Sequence, residues 1–521
     1  MPDTNSFVQL IKDGYTFKGE SFKVGAAMLD GQVLTGTDVL IPLRTMNRHG
    51  LIAGATGTGK TKTLQVLAEG LSDASVPVLL MDIKGDLSGI AAAGTVNDKL
   101  KERLLKIGGD YNPTAFPVEL LTLSDEKGAR LRATVLEFGP ILLSKILGLN
   151  DTQQGLVAML FKYCDDHQLP LLDLKDFVKL LQFVSNEGKA AIEKEYGKVS
   201  TSSTGTILRK VIELQQQGAD IFFGEPSFEI DDLMRIGDDG RGMISVLRVT
   251  DMQNRPKLFS TFMLQLLAEL YATLPEAGDL DKPKLVLFID EAHLVFQEAS
   301  EALLQQIETV IKLIRSKGVG IYFCTQNPQD VPPSVLSQLG LKVQHALRAF
   351  TAADRKTIRQ AAQNYPETDY YKTEDLLTQL GIGEALVTML NEKGIPTPLV
   401  QAMLVSPRSR MDVLTEQEID ALVTKSRLVK KYAEEIDRES AYELLTAKLE
   451  QASEASESAE KEKEEKKKPA GRPEKSTLEK VLDNSVTRQI GRTVASTLTR
   501  GLLGALGLNT RTTRKKKSSW F

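Results

Sequence analysis

An α/β fold with a mainly parallel sheet, interrupted by a helical insertion and followed by a charged helical extension, is what these 521 residues predict. Three observations lead there. Short apolar runs of the kind buried on both faces of a sheet alternate with helical periodicity over residues 44–133 and again over 239–414. Residues 134–238, between them, have helical spacing alone. Two of the apolar runs end in groups with a chemical purpose, one in a glycine-rich loop and one in a pair of carboxylates.

Residues 1–43 read as a short β-rich lead-in, with runs at 22–28 and 33–34 separated by the hairpin signal Asp30-Gly31. Gly50-Leu51-Ile52-Ala53 is a buried strand leading into Gly54-Ala55-Thr56-Gly57-Thr58-Gly59-Lys60-Thr61, and good helix formers follow from Lys62 to Glu69. A second buried run, Pro77 to Asp82, makes the start of a βαβ unit. In the insertion, helices are expected at 135–149, 154–163, 174–184 and 206–217. Alternation then returns, with strands at 244–249, 284–290, 320–324, 343–347 and 385–390 and helices at 259–271 and 303–315. Residues 415–450 read as a charged helix and 451–475 as a flexible linker rich in Ser, Ala, Glu and Lys. From 476 to 521, Leu478, Val481, Leu482, Val486, Ile490, Val494, Leu498 and Leu502 recur every three or four residues among arginines, as in a basic amphipathic helix, and a cationic tail ends the chain.

The loop at 54–61 matches the GxxxxGK[ST] phosphate-binding pattern in full, between a strand and a helix. Glycines are needed because backbone N–H groups close around a phosphate chain only where no side chain obstructs them. Lys60 is then expected on the β- and γ-phosphates and the Thr61 hydroxyl on Mg²⁺, with Gly54 to Lys62 forming the nucleotide cradle. Asp290 and Glu291, ending an apolar strand, supply the complement: a carboxylate for the Mg²⁺ shell and a carboxylate to polarise the attacking water. That pairing favours hydrolysis of a nucleoside triphosphate over binding alone. Asp82, at another strand end before Lys84-Gly85-Asp86, reads equally as a further acid near the metal or as a turn former.

Composition narrows the class. The apolar content of 41% suits a large core, and no run approaches the length of a membrane-spanning helix. Cys164 and Cys324 form no disulfide framework or CxxC motif, so a reducing cytoplasm is expected. The net charge of -4 conceals an asymmetry, since residues 466–521 hold fourteen Lys or Arg against three acids. Such a tail suits a polyanion or serves only solubility, and its helix suits an anionic membrane surface, the same helix in other subunits, or the body of the protein.

Gln326, at a strand end before Asn327-Pro328, fits either a γ-phosphate sensor or a turn. Arg315 fits a helix cap or a charge-stabilising finger acting across a subunit boundary, and Arg348 and Arg48 are alternatives for the second role. Together with Thr45-Met46-Asn47-Arg48-His49-Gly50, Asp82-Ile83-Lys84-Gly85-Asp86, Asp290-Glu291-Ala292-His293, Thr325-Gln326 and Pro407-Arg408-Ser409-Arg410, these residues form a series that resembles the HerA-like branch of the FtsK/HerA ATPases, over roughly residues 20–415. Within that branch it resembles the bacterial YjgR-type proteins with a helicase HerA-like C-terminal domain. The resemblance implies a RecA-like core working as a ring, usually a hexamer, with ATP between subunits and DNA through the channel. It also implies Lys60 and Thr61 as phosphate and metal contacts, Asp290 and Glu291 as metal and water residues, Gln326 as sensor and Arg315 at a finger position. The roughly 43 residues before Arg44 are too few for the family's full N-terminal β-barrel, so the resemblance leaves pairing with a nuclease open. A regulatory or scaffolding NTPase, anchored on anionic membrane by the basic helix, is the competing expectation.

Overall fold

The computed structural model describes residues 3–451 apart from 110, 252–254, 297–300, 435 and 437. Most of the expected linker and the whole basic helix and tail, 452–521, lie outside the described residues. The chain divides into two units.

The first unit, residues 1–132, 217–222 and 226–436, is built on a twelve-stranded sheet. Its strands are β1 (Ser21–Leu29), β2 (Gln32–Pro42), β3 (Gly50–Ala53), β4 (Val78–Asp82), β5 (Val118–Thr122), β6 (Ala129–Arg130), β7 (Ile244–Arg248), β8 (Leu285–Ile289), β9 (Val319–Thr325), β10 (Leu341–Gln344), β11 (Glu384–Thr388) and β12 (Val400–Leu404). They lie in the order β2-β1-β12-β11-β10-β3-β9-β8-β4-β7-β5-β6. From β10 to β6 every pairing is parallel, and β10, β11, β12, β1 and β2 are joined antiparallel. The sheet is thus mainly parallel, as its continuous apolar runs require, with an antiparallel flank that closes it on one side. β3, β4, β8 and β9 are buried along their whole length.

The lead-in differs from expectation. Its first part is a helix, α1 (Thr4–Gly14), capped by the Asp3 carboxylate and held by Phe7 and Ile11, buried four residues apart on one face. The hairpin at Asp30-Gly31 is present, with positive φ at both residues, and β1 pairs with β12, so the lead-in belongs to the same sheet as the core. The strands expected at 343–347 and 385–390 are shifted toward the N-terminus, to β10 and β11. Also in this unit are α2 (Lys60–Asp73) and α3 (Asp98–Ile107).

The second unit, residues 133–216, 223–225 and, in its described part, 438–451, is helical. It contains α4 (Val135–Ile146), kinked at Gly139-Pro140, then α5 (Asp151–Asp166), α6 (Leu174–Ser185), α7 (Lys189–Tyr196) and α8 (Thr201–Gln216). Capping boxes at Thr134, Asn150 and Asp173 start three of them, and Val157, Leu160, Phe177, Leu180, Ile207 and Val211 make its core. The insertion ends at Gln216 rather than 238, apart from 223–225. Residues 226–238 belong to the first unit, where Ile230 and Leu233 are buried and Arg235 bonds Glu119 at 2.7 Å.

The single charged helix expected at 415–450 is broken. Glu416–Lys425 and Arg427–Tyr432 are separate helices because Ser426 takes an extended conformation and caps the second. Residues 441–451 form a further helix in the second unit, where the buried Asp176 carboxylate accepts from the Ser440 hydroxyl and the Tyr442 N–H. The first unit also contains α9 (Pro256–Thr273), α10 (His293–Phe296) and α11 (Glu301–Ile314).

Candidate active site

Two sheet positions create the site. β3 ends at Ala53, level with Thr325 of β9, and β8 ends at Ile289, level with Phe323 of the same strand. β9 therefore separates the loop strand from the acidic strand, placing their ends two strand spacings apart, about 10 Å. Both ends are carboxyl ends of parallel strands, the edge where open α/β sheets gather ligands.

The loop is shaped by its neighbours as much as by its sequence. Gly54 donates its N–H to the Thr325 carbonyl, Ala55 to Ala346, and Gly383 returns one to Thr58. Gly54 has φ +152°, and a Cβ there would lie 2.5 Å from the His345 Cβ, so only glycine fits. Thr58 is buried, its hydroxyl donating to the Ala55 carbonyl at 2.7 Å, whereas Thr56 and Gly57 are exposed at the tip. Gly59, at φ +115°, starts α2 without a side-chain cap, leaving the first-turn N–H groups available to an anion. The buried Lys60 ammonium donates to the Gly54 and Ala55 carbonyls at 2.7 and 3.2 Å. Burial, followed by the neighbouring Lys84 charge, lowers its pKa. Thr61, half-buried, stands in the first turn of α2. Lys62 does not turn to the loop. Its ammonium donates to the Met411 carbonyl, which corrects its expected place in the cradle as far as the side chain is concerned.

Asp290 and Glu291 are 4% and 6% exposed, and Glu291 has φ +46°, a left-handed conformation that costs a non-glycine residue about 1–2 kcal/mol. Burial pushes the Asp290 pKa up to about 6; Lys84 opposes the shift and Glu291 reinforces it. Asp290 Oδ2 is buried without a hydrogen-bond donor, an arrangement that calls for an ion. Mg²⁺ fits it: hard oxygen donors suit that ion, and it needs only one or two protein oxygens beside phosphates and water. Thr61 and Asp290 are the residues that would hold it. Among the described residues no cluster of three or more metal-ligating side chains offers an alternative site.

Lys84 is the participant that sequence reasoning left without a role. It ion-pairs with Glu291 Oε1 and stands 3.8 Å from Asp290 Oδ2. On the other side of Glu291, His293 Nδ1 is 3.2 Å from Oε2. Asp82, one of two alternatives in the sequence, proves to be the turn former: its carboxylate accepts N–H bonds from Gly85, Asp86 and Leu87 at 2.7, 3.1 and 3.1 Å. Burial pushes its pKa up to about 6. His345 also went unread. Its Nδ1 faces the Glu384 carbonyl, which can only accept, so Nε2 accepts from the Thr63 hydroxyl at 2.9 Å and the ring buttresses α2 beside Gly54.

Gln326 is exposed immediately after Thr325, on the loop side of the sheet, and Arg348 is exposed four residues beyond β10 at that same end. Arg315 and Arg48 are elsewhere. Arg315 precedes β9, whose seven residues span about 23 Å, and Arg48 precedes β3. The Arg48 guanidinium pKa is lowered by burial and then by Arg315, so the two cations are neighbours at the end of the sheet opposite their own loop.

A model of the helicase HerA-like C-terminal family matches residues 28–511. The chain is 21% identical over 374 residues to the DNA double-strand break repair helicase HerA of Sulfolobus acidocaldarius, covering 70% of this chain and 67% of that protein. It is 24% identical over 392 residues to the probable helicase MJECL08 of Methanocaldococcus jannaschii, covering 71% and 68%. It therefore spans about two thirds of the length of these relatives. Among solved structures, the bacterial conjugative coupling protein TrwB superposes with a TM-score of 0.49 at 14% identity, covering 78% of this chain and 93% of that one.

Proposed function

The chain belongs to the helicase HerA-like C-terminal family, and from that premise we propose that it is an ATP-hydrolysing, ring-forming motor that translocates on or unwinds DNA. The observation that carries the proposal is the convergence of Lys60, Thr61, Asp290 and Glu291 at one end of a parallel sheet, with β9 between their strands. Bound MgATP would supply the triphosphate whose γ-phosphorus a water attacks. Lys60 then leaves the loop carbonyls for the β- and γ-oxygens, and the first-turn N–H groups of α2 hold the rest of the chain. Glu291 orients the water and takes its proton as the bond to ADP breaks. Gln326 would report the γ-phosphate to the segment that follows it. A homohexamer in the cytoplasm, with Mg²⁺ as the metal and DNA as the partner, is part of the same proposal.

ATP turnover measured without nucleic acid, with single strands and with duplex, alongside the mass of the assembly with and without nucleotide, tests it. Stimulation by DNA that falls steeply with salt is expected. Lys60→Ala should abolish binding and turnover, and Glu291→Gln should lower turnover about 10³-fold while ATP still binds. Turnover indifferent to both forms of DNA would reject the motor. It would favour the regulatory NTPase, which co-sedimentation with anionic vesicles, lost on deleting residues 470–521, would then support.

A further inference from the structure

Lys84 sits where the reaction needs freedom. Its ammonium holds one oxygen of the water-polarising Glu291, and an oxygen occupied by an ammonium is not open to the attacking water. The backbone that presents Lys84 is fixed. Asp82 is level with the end of β8 through the pairing of Met81 with Ile289, and its three N–H bonds lock the turn over residues 82–87. The side chain is not fixed, being 34% exposed and flexible along four methylenes. Around it stand Lys60, whose pKa Lys84 depresses, and the carboxylates of Asp290, Glu291 and Asp86. Two cations thus face the same small volume in which a terminal phosphate would arrive.

We propose that Lys84 exchanges partners, ion-pairing with Glu291 while the loop carries no nucleotide and moving to the terminal phosphate of a bound nucleoside triphosphate, so that Glu291 is released only when hydrolysis can follow. The inference rests on the reading of the site as an ATPase. A γ-phosphate brings more negative charge than Glu291 and lies between Lys60 and the acidic pair, within the swing of a lysine whose backbone stays still. A diphosphate ends one phosphate short and leaves the ion pair closed. Lys84 is then a positioning residue for Glu291 and a sensor of triphosphate against diphosphate.

The test is calorimetric titration of the full chain, with Mg²⁺ present, using ADP and the imido-bridged, non-hydrolysable ATP analogue. Wild type should prefer the triphosphate. Lys84→Met should cut that preference about tenfold, the loss of one charge-assisted bond, with ADP affinity unchanged within about twofold. Lys84→Arg, which keeps the charge, should retain most of the preference, and unchanged ADP binding shows that the loop is folded. An unaltered preference in Lys84→Met, an equal loss for both nucleotides, or no preference in wild type overturns the proposal. Absence of turnover in wild type would instead reject the ATPase reading, and the affinity ratio would still be read.

Discussion

His345 and His49 are each buried and neutral, with pKa values pushed down to about 4, in both cases chiefly by burial. Each ring nitrogen has a partner: His49 Nε2 faces the Ile311 carbonyl at 2.9 Å, and Nδ1 accepts from the Ile321 N–H at 3.0 Å. The sign of the pH effect follows. Their stabilising contribution is fully present above about pH 6.5 and is lost as pH falls toward 4, by on the order of 3 kcal/mol for each ring, because the unfolded chain takes the proton and the fold does not. Asp82 and Asp290, raised to about 6, act in the opposite sense: acidification through pH 6 relieves a cost carried by the folded state. The stability gap between wild type and His345→Gln, from chemical denaturation at pH 7 and pH 4.5, should narrow on acidification. A constant or widening gap would contradict a neutral His345. Nothing in the sequence singles this histidine out, since it follows Gln344 without a motif; the fold makes it a buttress by bringing the residue after β10 against Gly54.

At the scale of elements, α2 is held along its side by Pro407-Arg408-Ser409-Arg410. The Arg408 and Ser409 N–H groups donate to the buried Glu69 carboxylate at 2.9 and 3.0 Å, and the Ser409 hydroxyl at 2.6 Å. Gln65 adds bonds to the Ser409 hydroxyl and the Arg410 carbonyl, both at 2.8 Å, and Arg410 grips Glu418 bidentately. The segment that helped to suggest the family is thus, within this chain, a brace for the phosphate-binding helix. Glu69→Ala should destabilise the protein by about 2–4 kcal/mol by stranding these donors, and Glu69→Gln, which keeps an acceptor, by clearly less. Equal denaturation midpoints for the two variants would show that the carboxylate is not the organising acceptor. The same scale explains the break at Ser426. Charged helical periodicity runs through it, and only the extended backbone at Ser426 shows that a second helix begins there.

For the whole molecule, the placement of the arginines matters most. Arg348 shares the loop's end of the sheet, and Arg315 and Arg48 occupy the other. An arginine about 23 Å from its own loop can serve a phosphate only in a neighbouring subunit. In the proposed ring, Arg315→Ala and Lys60→Ala should each be inactive alone, and mixed in equal amounts they should restore about a quarter of the interfaces, those pairing an intact loop with an intact arginine. Turnover by Arg315→Ala alone would remove Arg315 from the reaction and direct attention to Arg348, and a mixture that stays at zero would rule out its action across a subunit boundary.

The local chemistry was determined by the sequence alone. The phosphate loop is one unbroken segment between a strand and a helix, and the acidic pair ends a five-residue apolar run, so local pattern sufficed to find both. Periodicity likewise revealed the helical insertion, but not its end at Gln216, because apolar residues after that point pack into the first unit instead. The antiparallel flank, the turn role of Asp82, the Lys84–Glu291 ion pair and the side of the sheet on which each arginine stands were decided only by tertiary structure. All of these depend on which strands become neighbours, a matter of long-range pairing that no window of consecutive residues contains.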